Sequence, residues 1–181
     1  MTITTAQSTA AAASSPAAAP DRAPKLNLQQ IFQAVQTSQG DRAVALQLSG
    51  AQWRALGAAL QRRTLVPGER LMERGDRGDT AFVLESGGLQ VFVDGGGIRP
   101  THRIELLERG AVVGEPALFE PCVRMATVEA TCDSVVWGLS AAAFAALMAS
   151  DPLLGLGLMR AAGAVMARRM RANLDRGLPV A

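Results

Sequence analysis

The sequence predicts a mainly antiparallel β domain flanked by helices (α+β), and three observations support this fold class. Short apolar runs of strand length fill residues 63–139, separated by glycine-rich turns such as VPGE, RGDRGD and ESGG. No stretch that could form a crossover helix lies between these runs, which argues against a parallel sheet. Apolar residues recur at helical spacing before and after this region. We therefore expect an antiparallel sandwich or barrel with helices at both ends.

The residues before the β region divide into two parts. Residues 1–24 are mostly Ala, Ser, Thr and Pro, which bury too little apolar surface to offset the entropy of ordering, so we expect a disordered tail. Residues 25–62 contain two amphipathic patterns, LNLQQIFQAVQ and AQWRALGAALQRR. Ser49 stands where an N-cap of the second helix is needed.

Helices return over residues 140–176, followed by a short tail at 177–181. Ser140 can cap the first helix, and Asp151 followed by Pro152 fits the start of the second. The second helix carries two apolar stripes: Leu154, Leu158, Ala162 and Val165 form one, and Leu156, Met159, Gly163, Met166 and Met170 form the other. One stripe can cover the β domain, and the other either packs within the chain or joins a second copy in a homodimer.

Composition argues against several functional classes. The chain has 18 basic and 16 acidic residues, a net charge of +2, which lacks the basic excess of a nucleic-acid binder. Its one histidine, His102, and its two cysteines, Cys122 and Cys132, do not make a zinc set, and we expect no metal site and no catalytic residues. No targeting signal or membrane-spanning stretch is evident, so we expect a cytoplasmic protein without direct membrane insertion.

One segment combines residue types that suit a sugar-phosphate ligand. A helical turn beginning at Pro116 would present the N–H groups of Ala117 and Leu118 to an anion. Arg124, nine residues after Glu115, has the planar fork that binds phosphate. Glu115 would repel a phosphate but can accept hydrogen bonds from sugar hydroxyls. The alternative is a Glu115–Arg124 ion pair without a ligand.

This segment resembles the phosphate-binding cassette of the cyclic nucleotide-binding domain, the domain of catabolite activator proteins and protein kinase A regulatory subunits. The resemblance rests on Gly114-Glu115-Pro116-Ala117-Leu118 and Arg124-Met125-Ala126-Thr127-Val128, preceded in family order by VPGERLMERGDRGD, FVLESGGLQV and LLERGAVVGE. It covers roughly residues 50–176. It implies a jelly-roll-like β-roll of about eight strands, with the cassette at 113–128, N-terminal helices and a C-terminal lid helix.

The resemblance also implies roles for individual residues. Gly114 and Glu115 would hold the ribose 2′-hydroxyl, and Arg124 would neutralise the cyclic phosphate. The backbone N–H groups of Ala117 and Met125 would complete the phosphate cradle, and Ala126 belongs to the same set of ligand contacts. In the last helix, Val165, Met166 and Arg169 would belong to a lid over the base.

The sequence departs from the family pattern at three positions. Met125 stands where the family often has a hydroxyl residue that reads guanine, so cAMP is favoured over cGMP. Pro116 replaces an aliphatic residue, and Val123 replaces a proline that often precedes the arginine. These departures leave open a degenerate fold that acts as a ligand-independent protein-interaction module, or one that binds another ligand such as a cyclic dinucleotide.

The expected function is therefore a non-enzymatic cyclic nucleotide sensor. The ligand would be cAMP or cGMP, with no cofactor used as a catalyst. The family's transcription factors carry a helix-turn-helix after the lid helix, whereas this sequence ends at Ala181, so we expect no DNA binding. The change on ligand binding would be read by a separate effector protein.

Overall fold

The computed structural model describes residues 48–93 and 102–175. The predicted tails at 1–24 and 177–181, the first N-terminal helix and the DGGG turn lie outside the described residues. The helices and longer strands, in chain order, are α1 (Gly50–Ala59), β1 (Gln61–Leu65), β2 (Arg70–Met72), β3 (Arg77–Gly78), β4 (Thr80–Ser86), β5 (Leu89–Val93) and β6 (His102–Leu107). They are followed by β7 (Val112–Val113), a 3₁₀ helix (Glu115–Leu118), β8 (Cys122–Val123), β9 (Thr127–Ala130), β10 (Ser134–Ser140), α2 (Ala141–Ser150) and α3 (Pro152–Asp175).

The strands form two four-stranded sheets and one two-stranded sheet. Their orders are β1-β10-β4-β7, β2-β9-β5-β6 and β3-β8. Every pairing in them is antiparallel, which confirms the predicted fold class. The described residues contain ten strands, three of them only two residues long, rather than the eight that the resemblance implies.

The core of the β region joins the facing sides of the two larger sheets. It consists of Leu65, Leu71, Leu84, Leu89, Leu107, Val113, Val128, Ala130 and Val136. Burying a large aliphatic side chain of this kind stabilises a fold by about 1.5–3 kcal/mol. Since Val113 is 4% exposed and directly precedes Gly114, this core fixes the start of the predicted cassette.

A second cluster packs the three helices against the end of β10. Its buried members are Leu56, Leu139, Phe144, Leu147, Leu154 and Leu158. Leu118 of the 3₁₀ helix packs against the same cluster, so the predicted cassette is connected to the helices by direct contact. On sheet β1-β10-β4-β7, a small third cluster consists of Val83 and Trp137, with Val112 packed against them.

The predicted helix caps are confirmed. Ser49 Oγ accepts from the Gln52 amide at 3.2 Å while Gln52 Oε1 accepts from the Ser49 amide at 3.0 Å, a complete capping box. Ser140 Oγ accepts from the Ala143 amide at 3.2 Å. Asp151 Oδ1 accepts from the Leu154 amide at 3.0 Å. Each cap satisfies an amide that a helix start leaves without an intrahelical partner.

The two stripes of α3 differ in burial. The stripe of Leu154, Leu158, Ala162 and Val165 is buried, with no member more than 7% exposed. In the other stripe, Leu156 and Met170 are 53% and 52% exposed, whereas Met159 packs partly buried against the helical cluster. The first stripe therefore covers the domain as predicted, and the second is accessible only in part in the single chain.

Candidate functional site

The Arg124 side chain is buried and bonded to backbone carbonyls. The residue follows β8, and its main chain pairs with the turn after β2: its amide donates to Asp76 O at 2.8 Å and its carbonyl accepts from the Gly75 amide at 2.9 Å. Its Nη2 donates to Thr80 O at 2.7 Å, and its Nη1 lies 3.4 Å from Gly114 O. The guanidinium thus lies between β4 and the beginning of the cassette.

Two glycines provide the space that this guanidinium occupies. A Cβ atom at Gly78 would overlap the Arg124 guanidinium, and a Cβ at Gly114 would lie only 2.6 Å from its Nη1. Gly114 also has φ = 70°, in the left-handed region that favours glycine. Both positions therefore need a residue without a side chain for Arg124 to keep this place.

The 3₁₀ helix uses an amide that the sequence assigned to the ligand. The Ala117 N–H donates to Gly114 O at 3.1 Å, and Ala117 is fully buried. The expectation that this N–H is free for an anion is therefore wrong for this structure, because the tight i to i+3 bonding of a 3₁₀ helix consumes it. The helix begins at Glu115, one residue before the predicted start, and Pro116 lies in its first turn.

The Glu115 carboxylate pairs with α3 rather than with Arg124. Glu115 is 3% exposed, and its Oε1 lies 2.6 Å from Arg169 Nη1. Arg169 Nη2 also donates to Val112 O at 2.5 Å. The alternative of a Glu115–Arg124 ion pair is thus wrong, since each of these two buried charges has a different partner.

The remaining predicted site residues surround this centre unevenly. Met125 is 53% exposed, and Ala126 is half-buried. In α3, Val165 is buried and Met166 is on the border of exposure, at 36%. The structure therefore brings Gly114, Glu115, Arg124 and Arg169 together, and it leaves the Met125 side chain largely in solvent.

Sequence reasoning missed the groups that hold the two arginines. Apart from the Glu115 carboxylate, the acceptors are the backbone carbonyls of Thr80, Gly114 and Val112, and a main-chain carbonyl leaves no trace in residue identity. The role of Gly78, the last residue of β3, is different, because this glycine is visible in the RGDRGD segment. It was interpreted only as part of a turn.

A cavity of about 350 Å³ lies beside the β3–β8 pair. It is lined by Arg77, Gly78, Asp79, Pro121, Cys122 and Val123. Glu115 and Arg124 do not line it, but it shares Gly78 with the Arg124 site described above. Among residues 48–93 and 102–175, no three His, Cys, Asp or Glu side chains cluster as metal ligands. Within the same residues, no helix has the length and apolar character needed to cross a membrane.

Comparison with known proteins gives a match for the β region. Residues 62–151 match the family model of the cyclic nucleotide-binding domain. The chain is 32% identical over 110 residues to the cAMP-dependent protein kinase regulatory subunit of Blastocladiella emersonii. It is 35% identical over 81 residues to the same subunit of Mucor circinelloides f. lusitanicus. These alignments cover 61% and 45% of this chain but only 27% and 18% of the two relatives.

Solved structures share the fold. A cyclic nucleotide-binding domain from Methylobacillus flagellatus KT superposes with a TM-score of 0.72 at 23% identity, over 82% of this chain and 80% of that one. The catabolite activator protein of Thermus thermophilus gives 0.62 at 26% identity, over 74% and 61%. These superpositions cover more of the chain than residues 62–151, which the family model matches. The similarity therefore includes flanking helical residues as well as the β region.

Proposed function

Because the match over residues 62–151 makes this chain a member of the cyclic nucleotide-binding domain family, we propose that it is a sensor that binds cAMP in preference to cGMP. Ligand binding is transmitted to a separate effector protein through movement of α3. The family is a regulatory one whose ligand is cAMP or cGMP, and no catalytic cofactor is indicated. The proposal accordingly includes no enzymatic step.

One observation carries the proposal: two buried side chains of opposite charge flank Gly114. Arg124 is 7% exposed and Glu115 is 3% exposed, and Arg124 Nη1 approaches the carbonyl of the residue that precedes Glu115. In the proposed complex, the Arg124 fork binds the cyclic phosphate, and Glu115 with Gly114 binds the ribose 2′-hydroxyl. The Met125 amide adds a donor to the phosphate, and Ala126 borders it.

Two contacts support transmission from this site to the helices. Leu118, at the end of the 3₁₀ helix, packs against the cluster that contains residues of all three helices. Arg169 joins α3 to the Glu115 carboxylate. A shift of the cassette on ligand binding therefore changes the packing of α3, with Val165 and Met166 on the helical segment proposed as the lid.

Calorimetric titration of the purified chain with cAMP and cGMP tests the proposal. We expect Arg124→Ala to weaken binding by about 3 kcal/mol, a loss of more than a hundredfold, because a charged hydrogen-bonding group is removed. Arg109→Ala, which removes an exposed arginine, is the matched control and should bind like the parent chain. Arg124→Lys keeps the charge without the fork and should be intermediate. Unchanged affinity in Arg124→Ala, or no binding of either nucleotide to the parent chain, would contradict the proposal.

A second candidate function is a ligand-independent interaction module. It is favoured by the internal partners of both charged groups, since Arg124 is bonded to carbonyls and Glu115 to Arg169. It predicts no thermal shift with any cyclic mononucleotide, whereas a ligand at about 100 times its Kd adds about 2.7 kcal/mol of stability. A competition panel that includes cyclic dinucleotides separates this candidate from a sensor with a different ligand.

A further inference from the structure

The carboxylate that the proposed function assigns to the sugar of the ligand already has an internal partner. We propose that Arg169 is a built-in competitor for Glu115, so that the Arg169–Glu115 contact and the bound nucleotide exclude each other. The inference rests on the proposed function and specifies how that site is regulated. It gives Arg169 a role opposite in sign to that of a lid residue that holds the ligand.

The first argument is access to the carboxylate. The Glu115 side chain is 4% exposed and the Arg169 side chain 32% exposed, with 2.6 Å between Nη1 and Oε1. Arg169 is also held by Val112 O, which accepts from its Nη2 at 2.5 Å. This one guanidinium therefore bridges a side-chain and a main-chain acceptor on either side of Gly114. A sugar hydroxyl that uses the same Oε1 atom must displace the guanidinium.

The second argument is chemical equivalence. An ionised carboxylate only accepts hydrogen bonds, and a guanidinium only donates them. The hydroxyls of a ribose approach a carboxylate as donors in the same way. Arg169 thus satisfies, in the ligand-free chain, the acceptor that the sugar would satisfy in the complex.

The third argument concerns how α3 is held near the site. The buried stripe of α3 ends at Val165, which is 7% exposed, whereas Met166, Met170 and Leu174 are 36%, 52% and 56% exposed. Beyond Val165, the contacts of Arg169 with Glu115 and with the Val112 carbonyl attach this part of the helix to the cassette. Release of Arg169 therefore removes two contacts between the last turns of α3 and the cassette, while the buried stripe stays packed.

Competition makes a prediction about the sign of the effect on affinity. When only a fraction of the molecules has the site open, the apparent affinity falls by that fraction. Loss of Arg169 should therefore tighten nucleotide binding. A ligand-holding arginine predicts the reverse, and so does simple electrostatics, because removal of a cation near an anionic ligand weakens their attraction.

The experiment measures cAMP binding to the full chain and to three variants by calorimetry and stopped-flow kinetics. Arg169→Gln should bind about tenfold more tightly than the parent, mainly through faster association, because the site no longer has to open first. Arg169→Lys keeps a donor and should lie between the two. Arg171→Gln removes the same charge from an exposed position on the same helix. It controls for the long-range electrostatic effect of losing one positive charge.

The outcomes separate the two proposals. Tighter binding by Arg169→Gln than by the parent chain, without the same gain in Arg171→Gln, supports the competitor. Binding by the parent chain that is equal or tighter than that of Arg169→Gln overturns the competitor and leaves the sensor intact. No binding by any of the chains overturns both. Circular dichroism checks that the variants fold, and Arg169→Lys carries the test if Arg169→Gln does not.

Discussion

The position of the Arg124 guanidinium depends on side chains that are absent. It lies against Gly78 and Gly114, where any Cβ would overlap it or come within 2.6 Å of its Nη1. Its donors then reach the carbonyls of Thr80 and Gly114. The two glycines are therefore part of the site because they leave room for the guanidinium. Only Gly114 also contacts it, through its backbone carbonyl.

Gly78→Ala tests this dependence. The new methyl group must displace the guanidinium, and overpacking of this kind costs about 1–3 kcal/mol of folding stability. We expect cyclic nucleotide affinity to fall by roughly tenfold to a hundredfold, since a positioned charged hydrogen bond is worth about 1.5–3 kcal/mol. Calorimetric titration and thermal unfolding measure the two effects.

Gly163→Ala is the matched control for Gly78→Ala. A Cβ at Gly163 meets no atom within 4 Å, and alanine stabilises a helix interior by about 0.5–1 kcal/mol relative to glycine. This variant should unfold at a slightly higher temperature and bind normally. Equal effects of the two substitutions would show that Gly78 has no special relation to Arg124.

At the level of elements, one side-chain amide joins the starts of two helices. Gln52 Oε1 completes the capping box of α1, and its Nε2 donates to Asp151 Oδ2 at 2.9 Å. Asp151 in turn caps α3 through the Leu154 amide. The bond from the Leu154 amide, followed by that from Gln52, lowers the pKa of the Asp151 carboxyl below its usual value. The junction of α1 and α3 therefore depends on an ionised Asp151.

This lowered pKa predicts a pH dependence of stability. Below the usual aspartate pKa of about 3.9, Asp151 is protonated in the unfolded chain but still ionised in the folded chain. The free energy of unfolding therefore falls as the pH decreases toward and through the folded pKa. Asp151→Asn keeps a capping oxygen but does not titrate. Urea unfolding from about pH 5 downward should show a flatter acid decline for the variant than for the parent. Parallel declines would contradict this origin.

The features that sequence could predict are the local ones. Ser49, Ser140 and Asp151 cap their helices as predicted, because a cap depends on residues three positions away. The Arg169–Glu115 contact joins residues 54 positions apart, and no local pattern encodes it. The fate of the Ala117 amide was missed for another reason: it depends on whether the turn closes as a 3₁₀ helix.

At the scale of the whole molecule, α3 presents an unpaired apolar face. Leu153, Leu156, Met170 and Leu174 are all more than half exposed on this helix. Leu156 and Met170 belong to the second stripe of α3, and Leu153 and Leu174 lie next to it at helical spacing. We propose that this face joins a second copy of the chain in a homodimer. A heptad-like seam of two α3 helices would bury these side chains.

Met170→Glu tests the homodimer. A charge placed in an apolar seam loses its hydration without gaining a partner, so the dimer dissociation constant should rise at least about tenfold, which corresponds to 1.4 kcal/mol. Sedimentation equilibrium over a range of concentrations measures it. Leu106→Glu places the same charge on a leucine that is 56% exposed on β6 and should leave assembly unchanged. A parent chain that stays monomeric throughout would contradict the homodimer.

The third apolar cluster gives the molecule its own optical probe. Trp137 packs against Val112, the residue whose carbonyl holds Arg169, and its indole N–H donates to Glu85 Oε2 at 2.5 Å. Indole emission responds to the polarity and hydrogen bonding around the ring. Departure of Arg169 from Val112 should therefore change the light that Trp137 emits, without any dye attached to the chain.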